Sequence, residues 1–239
     1  MIKTFFHYSK DIGKIEKSGY IKDFSFAKTN TYDTVLKACP EIFLDKEQIK
    51  KFKQYVNKNK SQIKKYEKEQ KKGSYESKYR DLKLKYKNPL LTEFFNQNKF
   101  VLAFDEKLPK GWIKWGMLPL LANKIGRQFL KFKITKEIAE KSFVLEQKYW
   151  SPLFSKKKFG LNTWNPKFNI EKHPKIVKEV FGKYYLSIKR ISDYKKGEYE
   201  VPEFWICGKI PITQCKKGQI SEKMFNELLK KREKLKKII

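Results

Sequence analysis

The segment Tyr199-Glu200-Val201-Pro202-Glu203-Phe204-Trp205-Ile206-Cys207-Gly208-Lys209-Ile210-Pro211 sets the narrowest limits on the fold. Pro202 has a fixed φ and no N–H to give to a ladder, so a strand begins at or just after it. Phe204-Trp205-Ile206-Cys207 is a compact apolar run, and Gly208 and Pro211 close it. Glu203 is the one acid against that run. It is either a solvated residue at the strand entrance or a carboxylate held at the rim of a core. What the rest of the chain places beside it decides between the two.

The chain has 239 residues, 40% hydrophobic and 15% aromatic. That allows one large domain, or one domain with an insertion, and it excludes a disordered basic tail. The formal net charge is +30, and of 56 basic residues only Arg80, Arg127, Arg190 and Arg232 are arginine. A field this positive attracts nucleic acid or anionic membranes. A lysine-biased composition produces the same charge with no partner at all. Lysine lacks the planar fork that reads guanine, so the charge argues for contact with a phosphate backbone at most.

Cys39, Cys207 and Cys215 are too few and too badly spaced for a disulfide framework, and His7 and His173 are the only histidines. A zinc site or other metal centre is not expected. Cysteine usage fits a reducing cytosol. The N-terminus has no long apolar core and no window of about 18 apolar residues exists, so neither a signal peptide nor a membrane span is predicted.

Lys3-Thr4-Phe5-Phe6-His7-Tyr8-Ser9 reads as a first strand, followed by a short helix over 10–19 and a return to extended chain at Tyr20-Ile21. From Asp45, a capping residue, Ile49, Phe52, Val56, Ile63 and Tyr66 form a narrow apolar stripe on a lysine-rich helix. Gly73-Ser74 breaks it, and Tyr75, Tyr79, Leu82 and Tyr86 recur at helical spacing. Residues 45–87 are thus predicted to be an inserted basic helical hairpin, an arm rather than core. Residues 46–87 hold 15 Lys and one Arg against five acids. Lys50, Lys53, Lys60, Lys64 and Arg80 are its candidate phosphate contacts. Its tyrosines either stack on bases or form the seam between the two helices.

Phe100 to Phe104 is a buried strand, and the loop after it carries Trp112 between Pro109 and Gly116. Met117 to Ala122 is apolar. Leu130, Phe132 and Ile134 alternate with lysine in a half-exposed strand, and Phe143 to Glu146 is another. Residues 155–173 read as loop. Pro174 opens a short helix that stops at Gly182, and Tyr184 to Ile191 alternates as a strand. Ser221 caps a final helix. Strands and helices do not alternate regularly, which predicts an α+β fold with a mostly antiparallel sheet.

Phe5-Phe6-His7-Tyr8-Ser9 followed by Ile12, Ile15 and Gly19-Tyr20-Ile21 resembles the opening of ADP-ribosyltransferase-like domains. Tyr185-x-Ser187, Tyr194 and Tyr199-x-x-Pro202-Glu203-Phe204-Trp205-Ile206, ending in Ile210-Pro211, resembles the strand pair that carries their catalytic glutamate. Leu108-Pro109-x-Gly111-Trp112 is similar, more loosely, to their pocket loops. The resemblance covers about the first 25 residues and about 60 of the second half, in short motifs whose order carries it. The nearest branch modifies nucleic acid: DarT-like toxins and the RNA 2'-phosphotransferase group.

The resemblance implies a split antiparallel sheet with NAD, a substrate, in the cleft. It gives Glu203 the role of stabilising an oxocarbenium-like transition state while the bond from nicotinamide to ribose breaks. It places His7 on the adenosine-side ribose, Ser9 on a ribose hydroxyl, and Tyr8, Trp112 or Tyr185 against nicotinamide. DarT-like members carry an arginine after the first unit; Arg127, at a different position, is the substitute here. The expectation is therefore a cytoplasmic ADP-ribosyltransferase of phage or toxin type that modifies DNA or RNA. The alternatives are a non-catalytic nucleic-acid-binding protein, or a degenerate domain that inhibits a protein partner.

Overall fold

The computed structural model describes residues 4–22, 24–25, 30–70, 79, 82–97, 99–108, 110–114, 126–154 and 173–236. Its architecture is α+β. Among the described residues every strand pairing is antiparallel and no sheet is closed.

The strands are β1 (Thr4–Ser9), β2 (Tyr20–Ile21), β3 (Phe24–Ser25), β4 (Lys99–Ala103), β5 (Gln128–Lys133), β6 (Phe143–Glu146), β7 (Lys189–Arg190), β8 (Pro202–Cys207), β9 (Ile210–Pro211) and β10 (Lys216–Gln219). They form a five-stranded sheet in the order β3-β4-β8-β6-β7, a three-stranded sheet β1-β5-β10 and the pair β2-β9. The helices are α1 (Ile12–Ser18), α2 (Asn30–Ala38), α3 (Lys46–Lys58), α4 (Lys60–Gln70), α5 (Pro89–Gln97), α6 (Lys110–Lys114), α7 (Lys136–Lys141), α8 and α9 (Glu222–Lys236). Helix α8 runs without interruption through Pro174–Val177, a π turn at Lys178–Gly182, and Lys183–Leu186.

The five-stranded sheet is covered on both faces. Phe100, Phe143, Leu145, Trp205 and Cys207 face a helical layer that brings Val35, Leu36, Phe52, Phe94, Val177, Val180 and Tyr184. Val101, Ala103, Val144, Phe204 and Ile206 face Phe5, Leu130 and Phe132 of the three-stranded sheet. Every residue of β8 is therefore buried, which is why its sequence shows no polar alternation. A solvated residue at the strand entrance is excluded by that placement: Glu203 is 5% exposed.

The two sheets touch at one point. Phe6 and Phe104 exchange N–H···O bonds of 2.7 and 3.0 Å on the stretch of the β4 edge beyond the end of β3. One residue later the strands splay. The His7 side chain takes over there, its Nδ1 lying 2.8 Å from the Leu102 carbonyl.

Three sequence expectations are corrected. Residues 82–86 are extended, not the second helix of a hairpin: Leu84 and Tyr86 are buried while Lys83 and Lys85 are exposed. Their backbone bonds go to the first helix and its approach, with Lys85 N–H on Gln48 Oε1 and Lys87 N–H on the Phe43 carbonyl. The segment is also not an arm, since Phe52, Ile63, Tyr79, Leu84 and Tyr86 all join the helix-side core. Phe52 and Tyr79 meet ring to ring at 5.0 Å, so Tyr79 belongs to a seam. Tyr184 to Leu186, read as strand, is helix. Gly182 does not end that helix, because a side chain there would meet Ile42 Cδ1 at 2.9 Å, so glycine serves close packing. Gly73-Ser74, Tyr75, 117–122 and 155–172 lie outside the described residues.

Glu146 holds the entrance of β8. It lies opposite Pro202, which has no N–H to give. Its carboxylate instead accepts the N–H groups of Glu200 (2.7 Å), Val201 (2.9 Å) and Lys148 (3.1 Å). Gln147 N–H closes the other side on the Val201 carbonyl at 2.9 Å. Replacing Glu146 by Gln puts an amide donor against backbone donors. The expected loss is about 2 to 3 kcal/mol in urea unfolding with an unchanged denaturant slope. A loss below about 0.5 kcal/mol would mean that the carboxylate is not what secures this entrance.

Candidate functional site

Glu203 points into the helical layer beneath α8. Gln147 Nε2 donates to its Oε1 at 2.7 Å, and the Tyr184 hydroxyl donates to its Oε2. Trp205 Nε1 donates to the Tyr184 oxygen at 3.1 Å, and Trp150 stacks edge-on against Tyr184 with centroids 5.3 Å apart. Two further polar atoms, Gln147 Oε1 and Trp150 Nε1, are buried with no hydrogen-bond partner among the described residues.

The roof over Glu203 is anchored. Ser187, just past α8, donates through Oγ to the Tyr184 carbonyl and accepts the Glu146 N–H at 2.9 Å. The residue that clamps the strand entrance therefore also ties down the helix end that carries Tyr184.

Burial sets the electrostatics. It pushes the Glu203 carboxyl up to about 7, against hydrogen bonds from Tyr184, Trp205 and Gln147 that favour the ionised form. The Tyr184 hydroxyl is held well above its usual range, first by burial and then by the neighbouring carboxylate. His7 is pushed down by burial, so its ring is neutral near pH 7. A carbonyl can only accept, so Nδ1 carries the proton and Nε2 keeps a free lone pair.

The remaining sequence-predicted residues fall into separate groups. Tyr8 and Trp112 do come together, with ring centroids 6.0 Å apart, in a cluster with Phe104, Phe129 and Val201. The Tyr8 hydroxyl donates to the Lys107 carbonyl, and Trp112 Nε1 is buried without a partner among the described residues. Helix α6 presses on the β8 entrance there. A side chain at Gly111 would meet the Glu200 carbonyl oxygen at 2.4 Å, which only glycine avoids. Ser9 Oγ accepts the Asp11 N–H at 3.1 Å in the turn into α1. Arg127 lies over the Phe225 ring at 6.0 Å. Tyr185 is fully buried between Phe43 and Phe95, with each ring centroid 5.5 Å away. Lys50, Lys53, Lys60 and Lys64 are exposed on α3 and α4. Arg80 lies outside the described residues.

Glu203 and His7 share no contact. The path between them runs through the paired strands: His7 bonds Leu102, which faces Trp205 in the β4–β8 ladder, and Trp205 reaches Tyr184. The sequence reading missed Gln147, Tyr184 and Glu146. For Tyr184 a signal was present, since Ile176, Val177, Val180, Phe181, Tyr184 and Tyr185 recur at helical spacing straight through Gly182.

Comparison with protein-family models, with curated proteins and with solved structures finds no match in any of the three. Among the described residues, no helix is long and apolar enough to cross a membrane, and no group of three or more His, Cys, Asp or Glu is placed to hold a metal ion.

The raised Glu203 value has a definite sign. An unfolded glutamate ionises near 4.5 and this one near 7, so the folded state holds the extra proton between those values. The folded state is favoured below about pH 4.5, loses about 3 kcal/mol as pH rises to about 7, and is level above it. Glu203→Gln removes the ionisation, and Gln147 can turn its amide to match. The variant is expected to melt close to wild type near pH 5 and several degrees above it around pH 8. Parallel melting curves at both values would show that no buried carboxyl titrates here.

Proposed function

We propose that this protein is an ADP-ribosyltransferase-like enzyme that cleaves NAD and transfers ADP-ribose to nucleic acid. The observation that carries the reading is the placement of Glu203. It is a single buried carboxyl, poised to ionise near neutrality, at the mouth of the central strand of one sheet. The second support is the seam one strand away, where the three-stranded sheet parts from the five-stranded one and His7 offers Nε2 as an acceptor.

In the reaction, the bond from ribose C1' to nicotinamide breaks with its electron pair on the leaving nitrogen. Positive charge develops on the ribose. An ionised Glu203 stabilises it and accepts a ribose hydroxyl. A nucleophile of the nucleic acid then bonds to C1' and gives up its proton to solvent. The Tyr184 hydroxyl now occupies Glu203 Oε2 as a donor. A ribose hydroxyl is a donor of the same kind, so substrate entry exchanges one donor for another and requires the end of α8 to lift. Gln147 stays on Oε1 and keeps the carboxyl aimed.

Nicotinamide release from labelled NAD in the presence of DNA or RNA tests this. Wild-type turnover is expected to rise with pH and level off above about 7, following the ionisation of Glu203. Glu203→Gln, expected to remain folded, should lower it on the order of 100- to 1000-fold. His7→Ala should raise KM for NAD more than it lowers kcat. Equal release by wild type and Glu203→Gln would overturn the proposal.

One observation favours a second reading, a non-catalytic nucleic-acid-binding protein. Both oxygens of Glu203 are already engaged inside the protein, as a purely structural carboxyl would be. On that reading Glu203→Gln leaves nucleic-acid affinity unchanged and no NAD is consumed.

A further inference from the structure

We infer that the outer face of α3 and α4 is a docking surface for the phosphate backbone of nucleic acid, blind to base sequence. Lys46, Lys50, Lys53, Lys60 and Lys64 are all exposed and recur at spacings of four, three, seven and four, which places them in one line. The line continues from one helix to the next. Asn59 N–H bonds the Tyr55 carbonyl at 2.9 Å and the Asn59 carbonyl accepts Ile63 N–H at 2.9 Å, so the helical spacing carries across the junction. Eighteen residues at about 1.5 Å each give a stripe of roughly 27 Å, room for on the order of eight phosphates of one strand of a duplex.

The stripe differs from the other charged helices of this protein. On α7, Lys136 and Lys141 stand four residues from Glu140 and Glu137 and pair with them at 3.8 and 2.7 Å. Residues 46–65 carry eight lysines and a single acid, Glu47. Among the described residues none of the five stripe lysines forms an ion pair. Like charges three and four residues apart weaken a helix, so the row opposes the fold it sits on and is carried by the apolar face behind it. A polyanion relieves that repulsion.

The rest of the surface chooses the partner. Ile49, Phe52, Val56 and Ile63 are committed to the core, so α3 and α4 have no apolar face left to insert into a bilayer. Phe52 and Tyr79 face each other inward, and Tyr55 is packed against the same core. They are not available to stack on bases. What remains is a line of point charges, which fits a repeating phosphate and reads no sequence.

The inference does not depend on NAD chemistry, and it is tested without NAD. The full-length protein is titrated by fluorescence anisotropy into short labelled duplexes of two unrelated sequences, over a range of salt. A stripe variant changes Lys46, Lys50, Lys53, Lys60 and Lys64 to Gln. A control variant removes the same charge elsewhere, at Lys136, Lys141, Lys183, Lys216 and Lys223. Circular dichroism confirms that both are folded. Wild type should bind both duplexes equally. The stripe variant should lose at least about tenfold in affinity and flatten the logarithmic salt slope by about four, with the control close to wild type. Equal losses in the two variants would overturn the inference, because net charge alone would then explain binding. Tighter binding to phosphatidylserine vesicles than to either duplex would overturn it as well.

Discussion

A carboxyl group taken out of water on a strand covered on both faces needs donors from the protein, and the arrangement around β8 follows from that need. Glu203 receives one donor from the residue after β6 and one from α8. Neither position is free to drift. Gln147 is held because its own N–H closes the β8 entrance, and Tyr184 because Ser187 links its carbonyl to the end of β6. Glu146 is the counterpart of Glu203. It is also buried, but three backbone N–H groups satisfy it, and it has no part left to offer a substrate. Two glutamates at one strand entrance are thus divided between holding the backbone and remaining available for chemistry.

The faces of the five-stranded sheet are divided in the same way. One carries the helical layer and the Glu203 network. The other receives the three-stranded sheet, which meets β4 at Phe6 and then departs. An imidazole substitutes for the next rung of the ladder, and its second nitrogen is left without a bond from the backbone. The seam and the carboxyl therefore lie on neighbouring strands without facing each other directly.

Much of the fold was legible in the chain, and the exceptions have physical causes. β1, α1, β4, β5, β6 and β8 follow from apolar runs bounded by Gly, Pro or polar residues, and the helix cap at Asp45 forms as its residue type requires. Two periods were misjudged. Tyr184 to Ile188 alternates, but Tyr185 is buried and Leu186 is 55% exposed, the reverse of what a strand demands. Leu82 to Tyr86 fits helical spacing through its aromatic ends, yet the buried positions are two apart. In both places tertiary burial decided between patterns that five residues cannot separate. Of the candidate site, the sequence pointed to the carboxyl and to the histidine. It did not point to the partners of Glu203, because Gln147 and Tyr184 come from elements tens of residues away and acquire their role only through packing.

The π turn in α8 gives Tyr184 a further property. A π turn holds one residue more than an α turn, and each residue advances a helix by about 100°. Removing one residue from Lys178–Gly182 would restore a regular helix and rotate everything beyond it by about that angle, turning Tyr184 away from Glu203. The identity of the residues in that turn matters less than their number. The hydroxyl above the carboxyl is thus a matter of helical phase, open to change by a single-codon deletion that leaves every side chain of the site intact.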